Sequence, residues 1–203
     1  MITFGRDFAP DVRDYAHQLG AGFSKKSQKT WHTYGWRDLQ GDIPRCVGSG
    51  WAHWLHSSPI RQKLNPQGIY ELSQYLDEWE GNDYEGTSVR AGAKVLKMLG
   101  AIESYRWTWN VSDIIDHLLE KGPMVVGTNW YKGMNDADEM RPLGRLEGGH
   151  AYLICGAYVP QERFKIKNSW NEFDYGYIGF DEMQILLDED GEACVGIESD
   201  LDG

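Results

Sequence analysis

Gln40-Gly41-Asp42-Ile43-Pro44-Arg45-Cys46 is the stretch on which the reading of this chain turns. A proline two residues before the cysteine suits entry into a helix. The pattern therefore predicts a helix that starts near Cys46, runs through Trp51-Ala52-His53-Trp54-Leu55 and ends by Pro59. A cysteine there feels the positive end of the helix, which favours its thiolate. Two later stretches answer it. His150 follows two glycines in Gly148-Gly149-His150-Ala151-Tyr152-Leu153-Ile154, and Asn168 follows the strand-like Phe164-Lys165-Ile166-Lys167 and precedes Ser169-Trp170. In this order the set suits a nucleophile, a base and an orienting amide. Asn168 would accept the imidazole N–H and fix its tautomer, with Trp170 covering that bond. Gln40 would donate to a tetrahedral oxyanion beside the backbone N–H of Cys46. Gly149 lets a substrate backbone come close to the histidine. The other five histidines lack such contexts; His53 and His56 are read as packing or surface residues.

Composition narrows the remaining classes. The chain has 203 residues, 41% hydrophobic and 25% charged, which is globular. Its formal net charge is -11, and the only basic cluster is Lys25-Lys26 with Lys29, so neither nucleic acid nor an anionic membrane is an expected partner. No apolar run approaches the ~18 residues of a membrane span, and the first seven residues carry no apolar signal core. With Cys46 as nucleophile, Cys155 and Cys194 remain. Cys155 reads as a small buried hydrophobe, and no disulfide framework is suggested. A reducing, cytoplasmic compartment is the expectation. The nine tryptophans and eleven tyrosines read mainly as core and cleft walls. The acidic Asp188-Glu189-Asp190-Gly191-Glu192 lacks the ligand spacing of a calcium loop, and no metal or cofactor is expected.

Along the chain, residues 1–39 read as extended chain and loops. Apolar spacing predicts a second helix through Ile69, Leu72, Tyr75, Leu76 and Trp79. A third runs from Ser88 to Leu99, with Val89, Ala93, Leu96 and Leu99 on one face and Gly100 as its stop. A fourth, capped by Ser112, ends at Gly122-Pro123. Strands are expected at 124–128, 151–158, 164–167 and 177–180. Helices first and strands later argue for an α+β chain, divided into a helical lobe over residues 1–110 and a strand-rich lobe over 111–203, together forming one catalytic unit.

On these residues the chain resembles the papain-like (C1-type) cysteine peptidases. The family's glutamine, glycine, four residues, cysteine is matched by Gln40, Gly41 and Cys46. Its histidine before an apolar strand is matched by His150 to Tyr158. Its lysine-asparagine-serine-tryptophan is matched by Lys167-Asn168-Ser169-Trp170, the most specific part, with Gly176-Tyr177-Ile178 following. Glu85-Gly86-Thr87-Ser88 is similar to the glycine-bearing loop that lines the family's cleft. The resemblance implies that Gly86 and Thr87 pair with a substrate strand. Cys194-Val195-Gly196-Ile197 is similar to the closing segment. The resemblance covers roughly residues 36–199. It implies a helical lobe and a β-barrel-like lobe with a cleft between them, and hydrolysis of peptide or isopeptide bonds in a protein or peptide substrate through an acyl-thioester.

The departures are specific. Val47 and Ile43 stand where plant and lysosomal members carry tryptophan and a disulfide cysteine, and the segment from Cys46 to His150 is shorter than the family's ~130–150 residues. These features resemble compact bacterial or phage members. A rival alignment sets Gly48-Ser49-Gly50-Trp51-Ala52 on the nucleophile motif, leaving Gly50 in place of the cysteine, but it misplaces Gln40 by four residues. Little chain precedes Cys46 to serve as an inhibitory propeptide. Control is expected from substrate access, a partner, timing of expression, or residues 1–30 draped over the cleft. Two other classes stay open: a peptidoglycan-directed cysteine amidase or endopeptidase, and a catalytically silent binding protein on the same fold. The sequence carries no signal for oligomeric state or subsite preference.

Overall fold

The computed structural model describes residues 3–20, 22–34, 37–81, 83–170 and 172–198. After a short 3-10 turn at Val12–His17 the chain forms β1 (Gln28–Thr30), then three helices: α1 (Cys46–His56), α2 (Pro66–Gln74) and α3 (Val89–Met98). Next come β2 (Ser104–Thr108), α4 (Val111–Glu120), β3 (Met124–Tyr131) and β4 (Leu146–Tyr158). The chain closes with β5 (Arg163–Lys167), β6 (Tyr175–Gly179), α5 (Phe180–Asp188) and β7 (Glu192–Ile197). The strands form one antiparallel sheet in the order β2-β7-β3-β4-β5-β6, with β1 added on β4. The fold is α+β. Helices α1 to α3 pack together on one side, and α1 also lies against β3 and β4.

The helix starts follow local chemistry. Ser88 caps α3 by accepting from Ala91 N, and Asn65 caps α2 by accepting from Gln67 N with Pro66 in the first turn. The cap of α4 is Asn110, which accepts from Ser112 N, rather than Ser112 itself. Gly100 stops α3 with φ +72°.

Helix α2 ends at Gln74, short of the expected Trp79. Asp77 explains this, because its carboxylate takes the hydroxyls of Tyr84 and Thr87 and binds the chain to a neighbouring loop. Tyr75 is accordingly exposed, and so is Leu99 beyond the end of α3. Strand β4 begins five residues earlier than expected, so His150 sits inside a paired strand opposite Thr128. Phe180 starts α5 instead of ending β6. Short β1, β2 and β7 each draw their pairing from strands distant in sequence.

The core runs between the helices and the sheet. Trp51 and Trp54 of α1 lie in it with their indole N–H groups satisfied by Val89 O and Pro123 O, both at 3.0 Å. Cys46, Cys155 and Cys194 are all buried and free. No helix among the described residues is long and apolar enough to cross a membrane.

Helix α3 crosses Trp51 at Gly92, where an added Cβ would come within 2.2 Å of Trp51 Cδ1 and 2.5 Å of Nε1. Alanine gains about 1 kcal/mol over glycine in a helix interior, whereas overpacking a fixed core costs about 1–3 kcal/mol. Gly92→Ala is therefore expected to lower stability, read as an earlier urea midpoint with an unchanged m-value.

Candidate active site

Cys46 is the first residue of α1 and is fully buried. The turn before it is held by a buried fork. Arg45 donates through both terminal nitrogens to Asp38, at 3.0 and 2.9 Å, and Ser49 Oγ donates to the same carboxylate at 2.5 Å. The thiol accepts the N–H of Ala151 at 3.4 Å, which brings the residue after His150 against the sulfur. Burial pushes the Cys46 thiol up to about 12, while the N–H groups of Ala151, Val47 and Gly5 pull it down.

His150, also fully buried, pairs through Nε2 with Asn168 Oδ1 at 2.8 Å. The amide oxygen accepts, so Nε2 carries the hydrogen and Nδ1 holds the lone pair. Nδ1 has no hydrogen-bond partner among the described residues. Asn168 Oδ1 is itself fixed by Ser169 N at 2.8 Å. Trp170 stacks on the imidazole with centroids 4.0 Å apart, and Trp130 meets it edge-on at 5.1 Å. These rings exclude water from the His150–Asn168 bond. Burial lowers His150 to about 3, against a small opposing pull from Asn168.

Gln40 is almost fully buried between these two halves. Its N–H donates to Ser169 O at 2.9 Å and its Oε1 accepts from Ser169 Oγ at 2.6 Å, which aims Nε2 toward the cleft. Nε2 donates to Ile43 O at 3.1 Å and to Thr3 O at 2.9 Å. Gly50, by contrast, lies inside α1, where an added Cβ would stand 3.3 Å from Val125 Cγ1.

Thr3 belongs to a strap formed by residues 3–7, which lies across all of these groups. Gly5 and Arg6 donate to Gly149 O at 3.3 and 3.1 Å, Asp7 donates to Thr87 O at 3.0 Å, and Thr87 donates to Gly5 O at 3.0 Å. Trp170 Nε1 adds a bond to Thr3 O at 3.3 Å. Phe4 stands edge-on to Trp170 at 5.5 Å. Glycines make the passage possible. A Cβ on Gly5 would lie 1.9 Å from Pro44 O, one on Gly149 2.1 Å from Arg6 O, and one on Gly86 2.6 Å from Asp7 Oδ2. Gly86 also needs its φ of +94°. The structure thus brings Gln40, Cys46, Gly86, Thr87, Gly149, His150, Asn168 and Trp170 to one cleft. The part of the N-terminal stretch that crosses it is residues 3–7. Sequence reasoning missed the contacts of this strap, because no local pattern marks one.

No protein-family model and no curated protein matches the sequence. Solved structures do match the fold. Xylellain, a cysteine protease from Xylella fastidiosa, superposes with a TM-score of 0.76 at 19% identity, covering 97% of each chain. Digestive procathepsin L2 proteinase from Tenebrio molitor larval midgut gives 0.67 at 14% identity, over 96% of this chain and 78% of that one. Procathepsin B S9 from Trypanosoma congolense gives 0.65 at 12% identity, over 97% and 87%. The fold is papain-like.

Burial also holds His117 down to about 4 and His53 well below its ordinary value. Unfolded imidazoles protonate near pH 6.5, so below that pH the unfolded chain binds more protons and stability falls as pH falls. Each of the three contributes about 1.4 kcal/mol per pH unit between its unfolded and folded values. The carboxyls of half-buried Asp7 and buried Glu192, both raised, act in the opposite sense where they titrate. The melting temperature is expected to drop between pH 7 and pH 5, and His150→Phe to make that slope shallower.

Proposed function

We propose that this chain is a cysteine peptidase that cuts peptide or isopeptide bonds through an acyl-thioester on Cys46. His150 Nδ1 takes the thiol proton, and the thiolate attacks the substrate carbonyl carbon. The carbonyl oxygen becomes an oxyanion facing Gln40 Nε2 and the backbone N–H of Cys46. As the C–N bond breaks, His150 returns the proton to the leaving amine. Water, deprotonated by His150, then attacks the thioester; the acid leaves and the thiol is restored. Asn168 keeps the imidazole in the tautomer this requires, and Trp170 shields their bond. The scheme calls on no cofactor or metal, and three free thiols suit a reducing compartment.

The observation that carries this reading is the buried His150–Asn168 pair. Its lone-pair nitrogen has no partner among the described residues, and the neighbouring Ala151 N–H lies on the Cys46 sulfur.

With residues 3–7 in the cleft, Thr3 O occupies the Gln40 donor that the oxyanion needs, and thiol and imidazole are both held neutral. The resting form is therefore latent. Residues 5–7 run parallel to Thr87, with Thr87 bonded to Gly5 and Asp7 on either side of Arg6. Each of these bonds contributes about 1 kcal/mol net.

An epoxysuccinyl inhibitor is expected to label Cys46 slowly in the native chain, by intact mass and peptide mapping. Phe4→Ala, which removes the packing on Trp170, should raise the labelling rate at least about tenfold, a change of about 1.4 kcal/mol. His150→Ala should abolish labelling in either background. Cys46→Ala should remove all turnover of a peptide that the Phe4→Ala chain cleaves; persistence of turnover would refute the mechanism.

A further inference from the structure

Helix α1 begins differently from its neighbours. Helices α2, α3 and α4 are each capped by a side chain that accepts a first-turn N–H. Arg45, which stands at the same place before Cys46, supplies no such cap, and the first turn of α1 carries no carboxylate. An accepting side chain there would compete with a developing oxyanion for the positive end of the helix.

The start of α1 is held by buried side chains instead. Asp38, Arg45 and Ser49 are all buried. Besides its two bonds to Asp38, Arg45 donates from Nη2 to Leu39 O at 2.9 Å and from Nη1 to Ser49 Oγ at 3.3 Å. Ser49 Oγ gives its own hydrogen to Asp38, and Ser49 N donates to Arg45 O at 2.9 Å. The guanidinium neutralises Asp38, so this carboxylate does not oppose negative charge near Cys46.

These bonds fix two peptide units. The first joins Leu39 to Gln40. Its oxygen accepts from Arg45 Nη2 and its N–H donates to Ser169 O at 2.9 Å, so the plane is pinned at both ends, and the Gln40 side chain departs from it. The second joins Arg45 to Cys46. Its oxygen accepts from Ser49 N, and its N–H is the backbone donor to the oxyanion in the proposed scheme. One guanidinium, held between Asp38 and Ser49, therefore ties the two halves of the oxyanion site together across the turn at residues 40–44.

We propose that Asp38, Arg45 and Ser49 are positioning residues that hold the two oxyanion donors, Gln40 Nε2 and the Cys46 N–H, at one fixed separation. The proposal deepens the peptidase reading and rests on it. None of the three side chains touches the reacting atoms; they act through Gln40 and Cys46. Lysine in place of Arg45 keeps the charge but lacks the planar fork that reaches Asp38, Ser49 and Leu39 O together. The donors then lose their common frame, and a displacement of about 1 Å costs about a hundredfold in rate.

The test compares two reactions of one thiol in the full-length Phe4→Ala chain. With p-nitrophenyl acetate, the Cys46 sulfur bonds to the acyl carbon, a tetrahedral oxyanion forms, and p-nitrophenolate leaves. With iodoacetamide, the sulfur bonds to the methylene carbon, iodide leaves, and no oxyanion forms. Adding Arg45→Lys should slow acetylation, read by p-nitrophenolate release and intact mass, about a hundredfold. The rate and pH profile of alkylation should stay unchanged. Gln40→Ala should itself slow acetylation at least about a hundredfold, and Arg45→Lys should then add little, because the side-chain donor it positions is gone. Should Arg45→Lys fail to fold, Ser49→Ala is measured in its place, with an expected loss of about tenfold. Equal slowing of both reactions, slowing of neither, losses that add to those of Gln40→Ala, or a Cys46 that the ester does not acetylate would overturn the assignment. Selective, non-additive slowing in a chain that cleaves no peptide would uphold the positioning role and count against the peptidase reading instead.

Discussion

The close seating of α1 on the sheet is the constraint from which the rest follows. Gly50 faces Val125 of β3 and the backbone at Ala151–Tyr152 of β4, and Gly48 faces the Pro66 carbonyl, where a Cβ would lie at 2.3 Å. A side chain at Gly48 would collide with the backbone of α2, and one at Gly50 would press on Val125, 3.3 Å from its Cγ1. With both glycines, the helix settles low enough for its first residue to reach a strand N–H, and Cys46 meets Ala151. Strand β4 is then fixed from three sides by β1, β3 and β5. His150 therefore sits on the most constrained strand of the sheet. The proposed nucleophile and base come from opposite layers and are positioned by packing, not by loops.

The polar groups around this seam form a chain of mutual fixing. Asp38 holds Arg45 and Ser49, which holds the turn before Cys46. Ser169 holds Gln40 through its hydroxyl and Asn168 through its N–H. One dipeptide, Asn168-Ser169, thereby orients both the imidazole and the amide donor. Buried groups so arranged act with little reorganisation at the moment of reaction. The same burial disfavours both the thiolate and the imidazolium. In the proposed latent form, the strap that excludes water from the site also suppresses the ion pair that the chemistry requires.

Much of this was legible in the chain. The starts of α1 and α3, the core strand at 124–128 and the residues that meet in the cleft all have local signals: a proline before the cysteine, a serine cap, apolar runs and a motif around Asn168. The misreadings share one cause. Tyr75 and Trp79 fit a helical period, yet Asp77 holds its surroundings to the Tyr84–Thr87 loop. Strands β1, β2 and β7 are short and owe their form to partners far away in sequence. The start of β4 carries two glycines, weak strand formers alone, and is strand because β3 runs alongside it.

By itself, the sequence determined the helix entry at Cys46, the α+β class and the set of polar residues able to do thiol chemistry, because these depend on neighbours within a few positions. Only the tertiary structure decided that Thr3 to Asp7 lie in the cleft and that Arg6 meets Glu192, 186 positions away. Arg6 and Glu192, the latter at the end of an acidic run, carry no mark of each other in the sequence. Their pairing exists because Gly127 leaves room for the Arg6 side chain, and the cost of burying either charge alone requires the other beside it.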